Sequence, residues 1–306
     1  MRTLRVLLVV NPAATTTRPE QRDLIIAALQ GTAILDVQPT RGRGHATELA
    51  AAAVDTGSDA VVVLGGDGTA NEVVQALAHT PVALGLVPGG GANVLVRALG
   101  LPTDPVAATV RLLWALRNGG RRRIGLGQAD DRWFTFNAGM GFDAAVVARV
   151  ERDPCRKHRL RHGAFVASAL REWSELQPRV DTLTVGLPDG TQRPAALALV
   201  GNTSPFTVLG DRALVAHPGA SFDRDLDVLT VRDLTFPRLV TLVVGALAGG
   251  RHIRLPGVRH DHDVRRVVVA SIDGRQALPV HVDGDPLPPR RRLTLTSVPE
   301  ALDVLV

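Results

Sequence analysis

The chain has 306 residues, of which 45% are hydrophobic and 21% charged, and its formal net charge is +5. This composition is typical of a soluble globular protein, and the length predicts two domains. The positive charge suits anionic partners such as nucleotides or acidic lipid headgroups, whereas 3% aromatic residues and no tyrosine disfavour nucleic-acid binding by base stacking. The single cysteine, Cys155, excludes an internal disulfide and fits a cytoplasmic location.

Hydrophobic runs in the sequence are short. The N-terminal run in "MRTLRVLLVVNP" is broken by Asn11 and Pro12 too early for a signal peptide. The run at 239–250 falls short of the roughly 20 residues that cross a bilayer. Any membrane contact is therefore expected to be peripheral. The basic stretch 156–173, which leads into a predicted helix, is one surface for it, although a solvated helix end is the favoured interpretation.

Apolar strands alternate with amphipathic helices in the first part of the chain. Strands are predicted at 4–10, 33–37, 59–66 and 82–88, and helices at 19–29, 44–56, 70–78, 91–98 and 104–119. Continuous apolar strands between such helices predict a parallel sheet with helices on both faces. We therefore predict an α/β domain over residues 1–126.

From about residue 126 the pattern changes to short β-like runs punctuated by Gly, Pro and Asp. This pattern predicts an all-β sandwich over residues 127–298. Helices are predicted to interrupt it near 162–176 and 237–249. The last residues, 299–306, are predicted to form a strand that returns to either domain.

The stretch "VVVLGGDGTANEVVQAL" (61–77) places glycines where a strand ends and a helix begins. Glycines allow a sharp turn with exposed N–H groups, and the helix adds the positive end of its dipole, so the loop predicts a phosphate site. A bare carboxylate repels phosphate, so Asp67 makes sense if it holds Mg²⁺ or water, or accepts the proton of an attacking hydroxyl. The alternative is a tight turn in which Asp67 and Thr69 cap the helix.

A second glycine loop, "VPGGGANVLVRALGLP" (87–102), follows the next predicted strand. The carboxyl ends of parallel strands meet at one edge of the sheet, where ligands bind in open α/β folds. Two glycine loops at that edge favour a shared phosphate cradle over two unrelated turns.

Together with "FTFNAGMGFDAAVV" (134–147) and "VDGDPL" (282–287), these loops resemble the diacylglycerol kinase catalytic family, which includes bacterial lipid kinases and sphingosine kinases. The resemblance runs through nearly the whole chain. Gly-Gly-Asp-Gly-Thr by itself is shared with NAD kinases and phosphofructokinases, so the full set carries the resemblance. It implies a nucleotide domain like that of NAD kinase and phosphofructokinase, a β-sandwich lipid domain, and transfer of the γ-phosphate of ATP to a lipid hydroxyl in the cleft between them.

The resemblance also implies roles for individual residues. Asp67 would be essential for catalysis, and Asp285 would stand where the family has a proton-accepting acid. Mg²⁺ would be held in the acidic loop "SFDRDLDVL" (221–229) by Asp223 and then Asp227, with an Asp-rich hairpin turn as the alternative. The residues around ATP would be Asn11, Thr40, Gly65, Gly66, Asp67, Gly68, Thr69, Asn71, Gly90, Gly91 and Asn93.

The sequence departs from the family pattern at several of these positions. The family usually has Ser or Thr where Gly91 stands and Asp where Val94 stands, so ATP binding would rely more on backbone donors. Asp285 is one methylene shorter than the family's Glu, and its reach would have to come from the backbone position. Asp225 stands where the acidic loop often has Gly.

The segment "RHDHD" (259–263) carries donors suited to a transition metal. Nothing else clusters with it in the sequence, so a solvated loop is the favoured interpretation.

The sequence therefore predicts an ATP- and Mg²⁺-dependent lipid kinase, with diacylglycerol as the acceptor and phosphatidic acid as the product. A kinase of a soluble acceptor such as NAD and a non-catalytic nucleotide- or lipid-binding regulator are the alternatives. The protein is expected to be cytoplasmic and peripherally associated with a membrane surface that presents the lipid. The identity of the lipid and the oligomeric state, with a homodimer as one alternative, stay open.

Overall fold

The structure is a computed structural model that describes residues 3–14, 18–152, 171, 182–209 and 212–306. It divides the chain into two compact units, one formed by Met1–Gly125 with Glu300–Val306 and the other by Leu126–Pro299. The helix predicted near 162–176, most of the basic stretch 156–173 and Cys155 lie outside the described residues.

Parallel strands form the centre of the first unit. They are β1 (Arg5–Val10), β2 (Ile34–Pro39), β3 (Ala60–Gly65) and β4 (Ala83–Pro88). These strands pair in the order β2, β1, β3, β4. The last residues of the chain pair in parallel beside β4, with Val304 opposite Leu84. Every residue of β3 and β4 is buried, which explains their uninterrupted apolar sequences.

The helices of the first unit are α1 (Pro19–Gln30), α2 (His45–Asp55), α3 (Asp67–Leu77), α4 (Val94–Ala98) and α5 (Pro105–Asn118). Side chains of α1 and α5 share one apolar core with the strands, and α2 packs against α3. The ends of α5 follow from its local sequence. The Asp104 side chain accepts a hydrogen bond from the Ala107 N–H group at 2.8 Å, and Gly119 ends the helix with a φ of 70°.

Two antiparallel sheets form the second unit. The first sheet contains the end of β5 (Arg121–Ala129), β6 (Arg132–Phe134), β8 (Leu183–Gly186), β9 (Gln192–Ala195), β15 (Arg266–Ser271) and the beginning of β18 (Arg292–Leu305). The second sheet contains β7 (Asn137–Gly141), β10 (Leu197–Gly201), β13 (Leu226–Val231), β14 (Val258–Val264), β16 (Leu278–Val282) and β17 (Asp285–Arg290). A separate short pair consists of β11 (Thr207–Leu209) and β12 (Arg212–Leu214).

Alternation along the strands explains how the second unit packs. In β10, Ala198 and Val200 belong to a core that draws side chains from both sheets, whereas Leu197 belongs to a second core on the opposite face. That face is covered by helices α6 (Phe142–Arg152) and α7 (Phe236–Leu247). The second unit is therefore a β-sandwich with helices on one outer face.

One element of the second unit differs from its prediction. The segment 259–263, predicted as a solvated loop, lies within strand β14, and the side chain of His260 is only 3% exposed. The prediction of a loop was wrong because His260 and Asp261 contact polar side chains from distant parts of the chain. Arg259, His262 and Asp263 are exposed, in keeping with the predicted solvation. None of the described helices combines the length and the apolar character needed to cross a bilayer.

Candidate active site

The two glycine loops touch each other through their backbones. The Gly65 carbonyl accepts a hydrogen bond from the Gly89 N–H group at 2.8 Å. A Cβ atom added to Gly90 would lie 2.7 Å from the Cα atom of Gly66, a distance that side chains do not tolerate. Glycine is therefore required for this contact, and the predicted adjacency of the two loops is observed.

The N-terminus of α3 projects from the first loop. Its first helical hydrogen bond joins the Ala70 N–H group to the Gly66 carbonyl at 3.1 Å, so the preceding N–H groups make none within the helix. Gly68 is exposed in this turn, and a Cβ atom added there would meet nothing within 4 Å. An exposed turn at the positive end of a helix dipole is suited to phosphate.

Asn11 connects the end of β1 to the same turn. Its side-chain amide donates to the Thr69 hydroxyl at 2.9 Å, and its backbone N–H group donates to the Leu64 carbonyl at 3.0 Å. Asn71, two residues after Thr69 in α3, is buried and accepts a hydrogen bond from the Gln75 side chain at 3.1 Å. The structure thus gathers Asn11 and Thr69 at the first loop and places Asn71 inside the helix packing.

Asp67 binds the helix that follows the second loop. Its Oδ1 atom accepts a hydrogen bond from the Leu95 N–H group in the first turn of α4 at 3.1 Å. The alternative interpretation had Asp67 capping its own helix, whereas this contact is made to another helix. A half-buried carboxylate therefore holds α3 and α4 in register beside the glycine loops.

Asn93 fixes the shape of the second loop. It adopts the left-handed conformation with a φ of 47°, and its side chain both accepts from the Gly90 N–H group at 3.0 Å and donates to the Gly90 carbonyl at 2.8 Å. Gly91 is exposed, and a Cβ atom there would meet nothing within 4 Å. The second loop is thus held by an Asn side chain and retains space beside Gly91.

Glu72 is a residue of this region that the sequence analysis missed. Its carboxylate accepts hydrogen bonds from the N–H groups of Gly44 at 2.9 Å and Ala46 at 3.2 Å. These bonds anchor the segment that follows Thr40, whose own N–H group donates to the Val10 carbonyl at 2.8 Å. Because Gly44 lies 28 residues away from Glu72 in the chain, no local pattern indicated this contact.

In the second unit, "VDGDPL" forms the hairpin between β16 and β17. Asp283 and Gly284 occupy its tip with φ angles of 49° and 76°, as a type I′ turn requires, and Val282 pairs with Asp285. Asp283 is buried, and its two carboxylate oxygens accept hydrogen bonds from Thr135 (N–H and hydroxyl), Phe136 and Asn137 at 2.7–3.0 Å. Burial raises the pKa of Asp283, and these hydrogen bonds oppose that rise.

Asp285 follows the tip of this hairpin at the start of β17. Its side chain is 27% exposed, and its Oδ2 atom lies 3.6 Å from Nη2 of Arg132. Beneath the hairpin, His281 and Asp143 form a buried pair in which Nε2 and Oδ2 are 2.8 Å apart. The anchored hairpin thus presents one partly exposed carboxylate, Asp285.

The predicted Mg²⁺ ligands have different surroundings. Asp223 is exposed, whereas Asp227 is buried in β13 next to His217 and His260. Burial raises the pKa of Asp227, lowers that of His260 to about 4 and lowers that of His217 well below its ordinary value. Mg²⁺ takes oxygen ligands, so the nitrogen-rich donor set around Asp227 does not fit it.

Comparison with known proteins agrees with this geometry. Residues 5–129 match the diacylglycerol kinase catalytic domain, and residues 137–306 match the YegS C-terminal NAD kinase beta sandwich-like domain. A diacylglycerol kinase of Mycobacterium tuberculosis is 32% identical over 92% of this chain and 87% of its own length. The chain belongs to the diacylglycerol kinase and YegS-like lipid kinase family. Another relative, the probable lipid kinase YegS-like protein of Pseudomonas aeruginosa, is 31% identical over 98% of this chain and 93% of its own length.

Two solved structures share the fold of this chain. The crystal structure of a diacylglycerol kinase from Bacillus anthracis aligns over 100% of this chain and 97% of its own, with a TM-score of 0.69 and 18% identity. Yeast NADH kinase aligns over 100% of this chain and 84% of its own, with a TM-score of 0.54 and 11% identity. The predicted fold class, a parallel α/β domain like that of NAD kinase with a β-sandwich, is therefore confirmed.

Proposed function

We propose that this lipid kinase family member transfers the γ-phosphate of ATP to the hydroxyl of diacylglycerol and forms phosphatidic acid. The observation that carries the proposal is the backbone contact between the two glycine loops at Gly66 and Gly90 beside the N-terminus of α3. Paired glycine loops with open N–H groups suit a polyphosphate, and the 32% identical relative is named a diacylglycerol kinase.

The first unit supplies the nucleotide site in this proposal. The N–H groups of Gly68 and Thr69 and the loop around Gly91 donate hydrogen bonds to phosphate oxygens. Asn11 and Thr69 brace the first loop through their mutual hydrogen bond. Thr40, at the start of the segment that Glu72 anchors, is one of the residues that surround ATP in this proposal. Mg²⁺ bound together with ATP would neutralise part of the triphosphate charge.

The two candidate carboxylates take different roles. One oxygen of Asp67 already accepts the Leu95 N–H group, so we assign Asp67 to orienting the reacting groups and keeping α4 in place. Asp285, on the anchored hairpin of the second unit, accepts the proton of the lipid hydroxyl as that oxygen bonds to the γ-phosphorus. The bond between the γ-phosphorus and the β–γ bridging oxygen breaks, and ADP leaves. Most of the rate then comes from positioning and electrostatics.

The lipid acceptor requires contact with a membrane surface. We propose that the protein works in the cytoplasm as a peripheral protein, in keeping with its formal net charge of +5 and the negative surface of anionic bilayers. Because salt screens the attraction between exposed charges, this association is expected to weaken as salt is added.

The test is transfer of labelled γ-phosphate from ATP in mixed micelles. The acceptors are diacylglycerol, monoacylglycerol, ceramide, sphingosine, undecaprenol and, without detergent, NAD. Labelled phosphatidic acid that disappears in both Asp67→Asn and Asp285→Asn supports the proposal. If only another lipid is phosphorylated, that lipid is the acceptor instead of diacylglycerol. If only NAD is phosphorylated, the protein is a kinase of a soluble acceptor. If ATP binds and no acceptor is phosphorylated, the protein is a regulator.

A conservative variant distinguishes the role of Asp285. Asp285→Glu restores the acid of the family pattern, and we expect it to retain kinase activity, whereas Asp285→Asn loses it. Equal activity of wild type and Asp285→Asn would remove Asp285 from the reaction.

A further inference from the structure

Three segments of the second unit bring metal-ligating side chains together. His217 follows β12, Asp227 lies in β13 and His260 lies in β14. One donor atom from each side chain lies within 4.8 Å of those from the other two. Asp227 and His260 lie on neighbouring strands, and His217 reaches them from the preceding connection.

The spacing of the donor atoms matches metal coordination. Nδ1 of His217 lies 3.2 Å from Nε2 of His260, and that Nε2 atom lies 3.6 Å from Oδ2 of Asp227. Ligands at about 2.0–2.1 Å from a tetrahedral Zn²⁺ ion are separated from each other by about 3.3–3.4 Å. The two observed separations lie on either side of this value.

The cluster is buried. The side chains of His260 and Asp227 are each 3% exposed, and His217 is 2% exposed. The buried carboxylate of Asp227 faces imidazoles, and a bound cation would offset the cost of burying its charge.

His262 orients the cluster from outside. Its Nε2 atom lies 3.1 Å from Nδ1 of His260, and its Nδ1 atom lies 3.1 Å from Oδ2 of Asp227. Metal-binding imidazoles commonly use their second nitrogen in such a contact. Gly201 provides room for the ring of His217, because a Cβ atom there would lie 2.4 Å from its Cδ2 atom.

We propose that His217, Asp227 and His260 bind one divalent transition-metal ion of the Zn²⁺ class, with His262 as an outer positioning residue. Imidazole-rich donor sets favour Zn²⁺ and its neighbours over Mg²⁺, which prefers oxygen ligands. The ion fastens the connection after β12 to strands β13 and β14 and stabilises the sandwich. This role is independent of the nucleotide chemistry assigned to Asp67 and Asp285.

The experiment measures Zn²⁺ binding to the metal-stripped full-length chain by calorimetry, with elemental analysis of the dialysed protein. We expect one Zn²⁺ ion per chain and binding that is about 10- to 100-fold weaker in His260→Gln. The control is His79→Asn, which changes an exposed histidine of the first unit, and we expect its Zn²⁺ binding to be unchanged. Saturating Zn²⁺ should raise the thermal midpoint of wild type and control but not of His260→Gln.

A second variant covers the case in which His260→Gln fails to fold. Asp227→Asn retains an oxygen that can accept from His262 but loses the charge, and we expect it to lose Zn²⁺ affinity while keeping its circular dichroism spectrum. Wild-type protein that binds no stoichiometric Zn²⁺, variants that bind it equally well, or displacement of the ion by millimolar Mg²⁺ would each overturn the proposal. Kinase assays do not enter this test, so its outcome is separate from that of the proposed function.

Discussion

The Asp67 carboxylate accepts a hydrogen bond from the Leu95 N–H group, with Oδ1 and N 3.1 Å apart, although the two residues are 28 positions apart in the chain. Because of this contact, two substitutions of Asp67 can test its charge and its structural role separately. Asp67→Asn retains an acceptor oxygen and removes the charge. We expect the variant to keep its circular dichroism spectrum and to lose at least about 100-fold in kcat in the phosphate-transfer assay.

The matched variant Asp67→Ala also removes the acceptor for Leu95. We expect it to unfold in urea with a free energy about 0.5–2 kcal/mol below that of Asp67→Asn, because the first turn of α4 loses its capping group. If the two variants unfold alike, the hydrogen bond does not stabilise α4.

Gly90 is the residue at which the two glycine loops tolerate no side chain. Gly90→Ala places a Cβ atom 2.7 Å from the Cα atom of Gly66, so the loops must move apart. We expect a loss of about 1–3 kcal/mol in the free energy of unfolding and weaker ATP binding by calorimetry. The control is Gly91→Ala, whose Cβ atom meets nothing within 4 Å. Equal behaviour of the two variants would contradict the backbone contact.

The open space at Gly91 allows the missing hydroxyl to be restored. Gly91→Thr adds a side chain where the family usually has Ser or Thr, and no atom lies within 4 Å of the new Cβ position. A new hydrogen bond to the nucleotide is worth about 0.5–1.5 kcal/mol, so we expect the Kd for ATP to fall by about 2- to 10-fold. Gly91→Val, similar in shape and without the hydroxyl, is the control, and an equal gain in both variants would exclude a hydrogen bond.

Asp283 and Asp285 are expected to respond differently to loss of charge. In the wild type, both carboxylate oxygens of Asp283 accept hydrogen bonds from backbone N–H groups. Asp283→Asn replaces one of these oxygens with an NH₂ group that cannot accept, so we expect the free energy of unfolding to fall by about 1–3 kcal/mol. Asp285→Asn changes a partly exposed side chain, and we expect little change in unfolding with loss of phosphate transfer. Urea unfolding and kinase assays on both variants check this contrast, which fails if Asp283→Asn is the more stable of the two.

Local patterns predicted most elements near their observed bounds. Strand β3 and helix α5 follow from an apolar run and from the Asp104, Pro105 and Gly119 signals at the helix ends. Helix α3 was predicted from residue 70 but begins at Asp67, because Gly68, which indicates a loop in the sequence, lies in the first turn of the helix. Strand β14 was missed because its histidines and aspartates lack the apolar alternation that indicates a strand.

The sequence by itself determined the fold class, the family and the two glycine loops, because hydrophobic periodicity and glycine conformations act over a few residues. Only the tertiary structure decided which distant groups meet: Asp67 with Leu95, Glu72 with Gly44, and His217 with Asp227 and His260. These contacts join residues far apart in the chain, and their partners depend on how strands and helices pack. A residue's type limits what it can bind, but its neighbours in the folded chain select which of those bonds forms.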